Sequence, residues 1–352
     1  MAEQLICNQQ VVGSTPITSS ISMGEFPSGQ RGQTVNLLSL TSLVRIQLPP
    51  PYIRPDPRGQ VFVLYTKYTE GGLMKKKYGR VYIEITNVCN KSCSFCPGTK
   101  RALRFVEREE FKEIIEKIKH LTDYVYLHVM GEPLLHPDLP QLIDIAKNRG
   151  MKVAITTNGT LLSEVGEALI LHGVYKVNIS VHSFEDGSLE DYLSYIDGCS
   201  AFADKASDSG VLTTLRLWNK GVDEGRNIDT VAILHEKFAG DWIYGPRGAR
   251  IRHKLHLEEG ERFDWPDMSA PDYGERVFCH GLGDHFAILS DGTVVPCCLD
   301  REGNIPLGNI FEEDIDSILT SERASEMCMG FSKKRATEEL CRRCGYARRF
   351  KI

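Results

Sequence analysis

From residue 80 to residue 257 the chain alternates short extended runs with amphipathic stretches, and no other feature limits its fold as tightly. Val81–Thr86, Tyr124–Val129, Lys152–Thr157, Tyr175–Val181 and Leu212–Leu217 read as strands, and a sixth is expected within 242–257. Phe111, Ile114, Ile115 and Ile118 keep the spacing that puts apolar side chains on one helix face. Leu139, Leu142, Ile143 and Ala146 mark a second helix, which Gly150 would cap. Leu162, Val165 and Leu169 mark a third, ahead of Gly173. Residues 191–206 predict a fourth, and Val231, Leu234 and Phe238 a fifth. Units of this kind imply a parallel sheet with helices outside it. The expected fold is α/β: a partial (β/α)6 TIM-like barrel over residues 79–257, open on one side. Functional residues then gather where the strands end, at one mouth.

Three cysteines follow the first strand directly. Cys89, Cys93 and Cys96 stand in a Cys-x3-Cys-x2-Cys pattern. Three thiolates this close can hold three corners of a cubane cluster, leaving one iron without a protein ligand. An open iron can bind a small molecule and pass it an electron. Ferredoxin runs have two-residue gaps and recruit a further cysteine, which closes their clusters. The competing reading is a zinc knuckle, for which the third close cysteine is surplus.

The triplet resembles the signature of radical S-adenosylmethionine (SAM) enzymes, and Phe95, just before the last cysteine, matches that pattern too. The resemblance implies that the open iron chelates SAM, which one electron cleaves to methionine and a 5′-deoxyadenosyl radical. It also implies that Phe95 packs near the adenine. Met130-Gly131-Glu132-Pro133-Leu134, after the second strand, is similar to the family's Gly-Gly-Glu-Pro motif with Met in the first position. There the backbone and Glu132 would accept hydrogen bonds from the SAM ammonium, and charge-assisted bonds are the stronger kind. By position, Ser180 and Arg216 resemble the groups that hold the ribose and carboxylate; an arginine fork suits a carboxylate. Asn158 and His182, also at strand ends, are weaker candidates, since polar residues there often only cap loops. The resemblance covers residues 79–257.

A second set of cysteines occupies the last third. Cys279 is followed after twelve residues by Gly292, then Cys297, and the chain ends with Cys341-x2-Cys344 nearby. Asp291-Gly292 predicts a hairpin turn between Phe286–Leu289 and Thr293–Val295. Leu307-Gly308-Asn309-Ile310 and a helix around Ile315, Ile318 and Leu319 come next. This resembles the auxiliary-cluster extension known as SPASM, or its shorter twitch form. The expectation is a small C-terminal iron–sulfur domain over 275–352, with a β-hairpin and helix. It would hold one auxiliary [4Fe–4S] cluster on Cys279, Cys297, Cys341 and Cys344. Cys298 competes with Cys297 or packs in the core. Cys328 is either a hydrogen donor or inert. The rival for the set is a zinc ribbon.

Size and charge bound the rest. With 352 residues and a net charge of −5, the chain has room for about two domains, and bulk charge does not favour nucleic acid or membrane. Lys75–Lys77, Arg247–Lys254 and Arg342–Lys351 are local basic patches, read as solvated faces. Eleven cysteines without a secretory signal point to metal, not to a disulfide framework, and to a reducing cytoplasm. No apolar run is long enough to span a bilayer. In the first 50 residues only Glu3, Glu25, Arg31 and Arg45 are charged, and no periodicity is sustained. Residues 1–73 are therefore expected to be a disordered extension or the product of a misplaced start codon, with Met74 the natural start. Mass spectrometry of the native protein separates the two.

The expected function is hydrogen abstraction from a substrate by the SAM-derived radical, with a peptide or protein as the first choice of substrate. Oxidation of a small-molecule alcohol or cofactor precursor is the second. A non-catalytic iron–sulfur or zinc protein is the alternative from another class. A reductant such as flavodoxin or ferredoxin would be the electron-donating partner. No residue stands out as a catalytic acid, base or hydrogen donor.

Overall fold

The computed structural model describes residues 78–350 except Asp223, together with a two-rung antiparallel ladder of β1 (Leu38–Ser39) and β2 (Ser42–Leu43). That ladder belongs to a separate unit spanning 10–75. The expectations for residues 1–73, including a start at Met74, otherwise lie outside the described residues, as do Lys75–Lys77.

The main unit is one continuous eleven-stranded sheet. Its centre is six parallel strands: β3 (Arg80–Ile83), β4 (Tyr124–Tyr126), β5 (Lys152–Thr157), β6 (Lys176–Ser180), β7 (Leu212–Lys220) and β10 (Leu255–Glu261). Helices α1 (Arg108–Ile118), α2 (Leu139–Lys147), α3 (Leu162–Leu171), α4 (Leu189–Asp208) and α5 (Glu224–Lys237) connect them. Helices α1 and α2 bury the faces that the spacing predicted. Phe111, Ile114, Ile115 and Ile118 of α1 are completely buried, as are Leu142, Ile143 and Ala146 of α2. Burying one such side chain is worth about 1.5–3 kcal/mol. Glu107 and Glu110 form a capping box at the start of α1, and Ser188 and Asp191 form one at the start of α4. These satisfy backbone N–H groups that a helix start leaves without partners.

The sixth strand lies later than expected. Residues 242–257 begin instead with an antiparallel pair, β8 (Ile243–Gly245) and β9 (Gly248–Arg252), and the parallel strand starts at Leu255 and runs to Glu261. Gly248 allows the tight return, since a Cβ there would sit 2.2 Å from the Leu257 carbonyl oxygen. The barrel segment thus extends past the expected boundary at residue 257.

The C-terminal segment holds the predicted hairpin, β11 (His285–Ile288) and β12 (Thr293–Val295), turning at Gly292 with φ +87°. Two-residue β13 (Gly308–Asn309) pairs with β12. Helices α6 (Ile315–Leu319), α7 (Glu322–Ser332) and α8 (Glu339–Arg342) follow. The hairpin is not a layer of its own: β11 pairs in parallel with β3 and covers its edge. An uncovered edge would leave a row of unpaired backbone groups. The start of the barrel is thereby bonded to the C-terminal segment, some 200 residues later in sequence.

Candidate functional site

The triplet sits in a loop closed at its base by two side chains. The Thr86 hydroxyl donates to the Arg104 carbonyl at 2.9 Å and accepts from the Val88 N–H at 3.0 Å. The Asn87 amide donates to the Ala102 carbonyl and accepts from the Arg104 N–H, both at 2.9 Å. Inside the loop the Cys96 N–H donates to the Cys93 carbonyl at 3.0 Å. The flanks are tied down as well. The Asn158 amide donates to Asn90 Oδ1 at 2.8 Å, and Asn90 donates to the Thr160 hydroxyl at 2.9 Å. The Ser94 N–H and hydroxyl both donate to the Glu185 carboxylate, and Arg262 donates to the Ser94 carbonyl at 2.8 Å. Cys89 and Cys96 are exposed, Cys93 is half-buried, and all three thiols are free.

Burial, with the Glu185 carboxylate and the other two thiols beside it, pushes the Cys93 thiol up to about 12. Burial also raises the Cys89 thiol, and a cationic metal centre relieves such a donor set, because it deprotonates the thiols it binds. Cys279, Cys297, Cys341 and Cys344 behave alike. Burial raises each of them, and Cys297 feels Cys279, Cys298, Cys341 and Cys344 in turn. The Gly281 N–H points at Cys279 Sγ from 3.3 Å. Both donor sets suit iron–sulfur chemistry by residue type and placement. Among the described residues no three His, Cys, Asp or Glu side chains are arranged to hold a single metal ion.

Cys297 and Cys298 have different surroundings, in a turn just after β12. Cys297 joins the other three thiols, whereas Cys298 is bonded to the Tyr82 side chain and packs against Ala287, Leu289 and Val295. Cys328 lies on α7, partly buried against the core.

The strand-end residues gather as predicted, but most already have work. Gly131 has φ +77°, and a Cβ there would lie 2.5 Å from the Thr86 carbonyl oxygen. Glu132 is 1 % exposed. Its two oxygens accept the Leu134 N–H at 3.0 Å and the Asn158 N–H at 2.6 Å, so it joins the ends of β4 and β5. Burial raises its pKa, while those bonds pull the other way. Asn158 holds the cysteine loop, and its Oδ1 accepts from the Thr160 hydroxyl at 2.7 Å. Arg216 Nε donates to Glu258 Oε2 at 3.0 Å, and the guanidinium lies 4.6 Å over the Trp218 ring. The Phe95 and His182 rings pack with centroids 4.9 Å apart, and His182 Nδ1 is 3.0 Å from the Arg216 carbonyl. Ser180 ends β6, its carbonyl 3.5 Å from the donating Tyr195 hydroxyl. A cavity of about 280 Å³ opens beside Phe95, lined also by His182, Phe184, Glu185, Asn219, Arg226 and Arg262.

Several of these residues were not foreseen. Glu185, Arg262 and Glu258 carry no motif, and only their positions near strand ends could have flagged them. His128, two residues after β4, forms a hydrogen-bonded row with Thr156 of β5 and Asn178 of β6, with both links at 3.1 Å. Its outer atoms, His128 Nδ1 and Asn178 Oδ1, are buried without a protein partner. Burial, with Arg216 and Lys176 nearby, lowers the His128 pKa to about 3, so the imidazole is neutral.

A mostly parallel half-barrel with three thiols at the mouth and four more beside its first strand defines an iron–sulfur enzyme of the SAM-cleaving class. The family models agree. Residues 83–240 match the radical SAM superfamily, and residues 279–345 match SPASM, an iron–sulfur cluster-binding domain. The chain belongs to the radical SAM superfamily and carries a SPASM domain; such a protein uses a [4Fe–4S] cluster with SAM and auxiliary iron–sulfur binding.

The chain is similar to the antilisterial bacteriocin subtilosin biosynthesis protein AlbA of Bacillus subtilis, 27% identical over 285 residues, covering 70% of this chain and 63% of that one. It is 24% identical over 298 residues to the GTP 3′,8-cyclase of Microcystis aeruginosa, covering 70% and 88%. With the GTP 3′,8-cyclase of Aquifex aeolicus it shares 35% identity over 109 residues, 29% of this chain and about a third (34%) of that one. Among solved structures, BtrN in complex with AdoMet and 2-DOIA has a TM-score of 0.52 at 16% identity, covering 77% of this chain and 94% of that one. SuiB of Streptococcus suis has a TM-score of 0.52 at 17% identity, covering 76% and 72%. At these identities the structural likeness is one of fold. No helix among the described residues is long and apolar enough to cross a membrane.

Proposed function

We propose that this enzyme cleaves SAM reductively at a cluster held by Cys89, Cys93 and Cys96, and uses the resulting radical to modify a peptide. When bound, the cluster and SAM supply one-electron cleavage to a 5′-deoxyadenosyl radical, which removes a hydrogen atom from the substrate. The chain's own residues bind and orient. Gly131 offers backbone acceptors to the SAM ammonium, and Glu132 and Asn158 fix the strand ends around it. Arg216, with Nε committed to Glu258, keeps its terminal nitrogens for the SAM carboxylate. Ser180 lies where a ribose hydroxyl would be held. Phe95 forms one wall of the adjacent cavity and offers a face to the adenine. Cys279, Cys297, Cys341 and Cys344 would hold one auxiliary cluster, a closed site suited to accepting an electron from the substrate.

The observation carrying the peptide reading is that the similarity to the bacteriocin biosynthesis protein runs over 285 residues, 70% of this chain. A second reading, oxidation of a small alcohol, is favoured by the likeness in fold to BtrN in complex with AdoMet and 2-DOIA, which covers 94% of that chain.

The test is anaerobic reconstitution of the full chain with iron and sulfide, followed by SAM and a strong one-electron reductant. The wild-type chain should form 5′-deoxyadenosine, and Cys89→Ala should form none while keeping roughly half its iron, as two four-iron sites require. Equal product from both proteins would overturn the assignment of the triplet. A short peptide encoded beside the gene should then lose hydrogen mass. Turnover of small alcohols but not the peptide would favour the second reading.

A further inference from the structure

The C-terminal domain reaches across the sequence to grip the cysteine loop. Arg301, with its side chain 8 % exposed, donates from Nε to the Gly98 carbonyl at 3.0 Å, two residues after Cys96. Its other nitrogens bind the Pro266 carbonyl and Asp267 Oδ2, both at 2.9 Å. Next to it, the Glu302 carboxylate accepts the Lys100 N–H at 3.1 Å. The grip is reciprocal, because Arg101 Nε donates to the Arg301 carbonyl at 2.7 Å. Arg101 Nη2 then forks onto Glu84 at 2.6 and 2.7 Å. Glu84 has no exposed surface. Its two oxygens also accept the Met130 N–H, beside Gly131, at 3.2 Å and the Ser290 N–H of the C-terminal hairpin at 3.0 Å. One buried carboxylate thus joins the cysteine loop, the Gly131–Glu132 turn and the C-terminal domain.

An arginine and a carboxylate are costly to bury, and removing one partner is worse than removing both. A charged network is therefore a poor way to gain stability alone, but its fixed forks set distances well.

We propose that Arg301 is a positioning residue for the SAM site: through Gly98 and Arg101 the C-terminal domain fixes the cysteine loop against the Gly131–Glu132 turn, independently of any electron that domain accepts. The inference rests on the reading that Cys89, Cys93 and Cys96 hold the SAM-binding cluster. It predicts that loosening the grip weakens SAM binding without removing iron from either site.

The experiment compares Arg301→Met with Arg323→Met. Arg323 is matched in chemistry: it forks onto Glu338 at 2.7 and 2.9 Å and binds the Pro306 carbonyl at 3.0 Å, with no bond to the cysteine loop. Both reconstituted proteins are measured for iron, for melting temperature, for SAM dissociation constant, and for the change SAM causes in the paramagnetic resonance spectrum of the reduced cluster. Arg301→Met should keep its iron, bind SAM about tenfold more weakly and lose much of the SAM-induced spectral change; Arg323→Met should keep both. If Arg301→Met does not fold, Asp267→Ala removes one anchor of the same arginine and should weaken SAM binding in the same direction. Wild-type SAM binding in the Arg301 variant, or equal loss in both variants, refutes the proposal. Cys89→Ala is included separately: if it keeps the SAM-induced spectral change, the underlying reading fails, whatever the arginine variants do.

Discussion

Gly131→Ala should damage this protein far more than Gly98→Ala, although both glycines have positive φ and lie on the same mouth. At Gly131 φ is +77°, and at Gly98 it is +63°. Placing a residue with a Cβ in the left-handed region costs about 1–2 kcal/mol at either site. The surroundings then separate them. At Gly98 an added Cβ meets nothing within 4 Å. At Gly131 it would sit 2.5 Å from the Thr86 carbonyl oxygen and 2.8 Å from that of Val88. Those are main-chain atoms that cannot swing aside, and the Val88 carbonyl already accepts the Glu132 N–H at 2.8 Å. Overpacking of this kind adds about 1–3 kcal/mol. The total for Gly131→Ala is roughly 2–5 kcal/mol. For a unit of this size each kcal/mol lowers the melting temperature by about 2–4 °C. The expected drop is therefore on the order of 10 °C for Gly131→Ala and about 5 °C for Gly98→Ala. Calorimetry of the full chain at one scan rate reads both. Equal drops would refute the argument, because they would mean that the turn relaxes around the new methyl group at no cost.

Two further outcomes follow from the placement of single side chains. Cys297→Ser should reduce iron from about eight to about four per chain, while Cys298→Ser should keep about eight; elemental analysis after reconstitution decides, and the reverse result would exchange their roles. His128→Gln should flatten the acid limb of the stability curve. The imidazole has a pKa of about 3 in the fold against about 6.5 unfolded, so between those values only the unfolded chain binds the proton. Stability is full above about pH 6.5 and falls by up to ~1.4 kcal/mol for each unit below it. Melting temperatures of the two proteins between pH 7 and 5 should diverge in slope, and parallel curves would show that His128 is protonated freely in the native state.

Much of this architecture could be read from residue order, for a physical reason. The helices were legible because one face of each is completely apolar, as with Phe111, Ile114, Ile115 and Ile118. The cysteine sets were legible because their spacing is local. The sixth strand was misplaced because residues 243–252 contain two short strands whose antiparallel pairing has no distinct periodicity. Arg301 and Glu84 could not have been found: each has one partner more than 200 residues away, Gly98 and Ser290, and an isolated charge gives no sign that it will be buried. Arg216 was picked out by position, but its pairing with Glu258 is a contact between neighbouring strands that only the register of β7 against β10 reveals.

That register also explains where a substrate has room. Strands of a parallel sheet covered on both faces read as nearly continuous apolar runs. These strands do not. Val81, Ile83, Val125, Val153, Val177 and Leu215 are fully buried beneath the helices, while the alternate positions carry Arg80, Tyr82, Glu84, Tyr126, Thr156, Lys176, Asn178 and Arg216. An inner face of this composition cannot close into a dry core, because each polar group would need a partner and three atoms, Arg80 Nε, His128 Nδ1 and Asn178 Oδ1, have none among the described residues. The concave side is therefore built to be completed by something polar. Tyr82, on this face, is bonded to Cys298 beside the second cysteine set. A substrate held there would have a hydrogen-abstracting group on one side and an electron-accepting site on the other, the arrangement that the proposed oxidation requires.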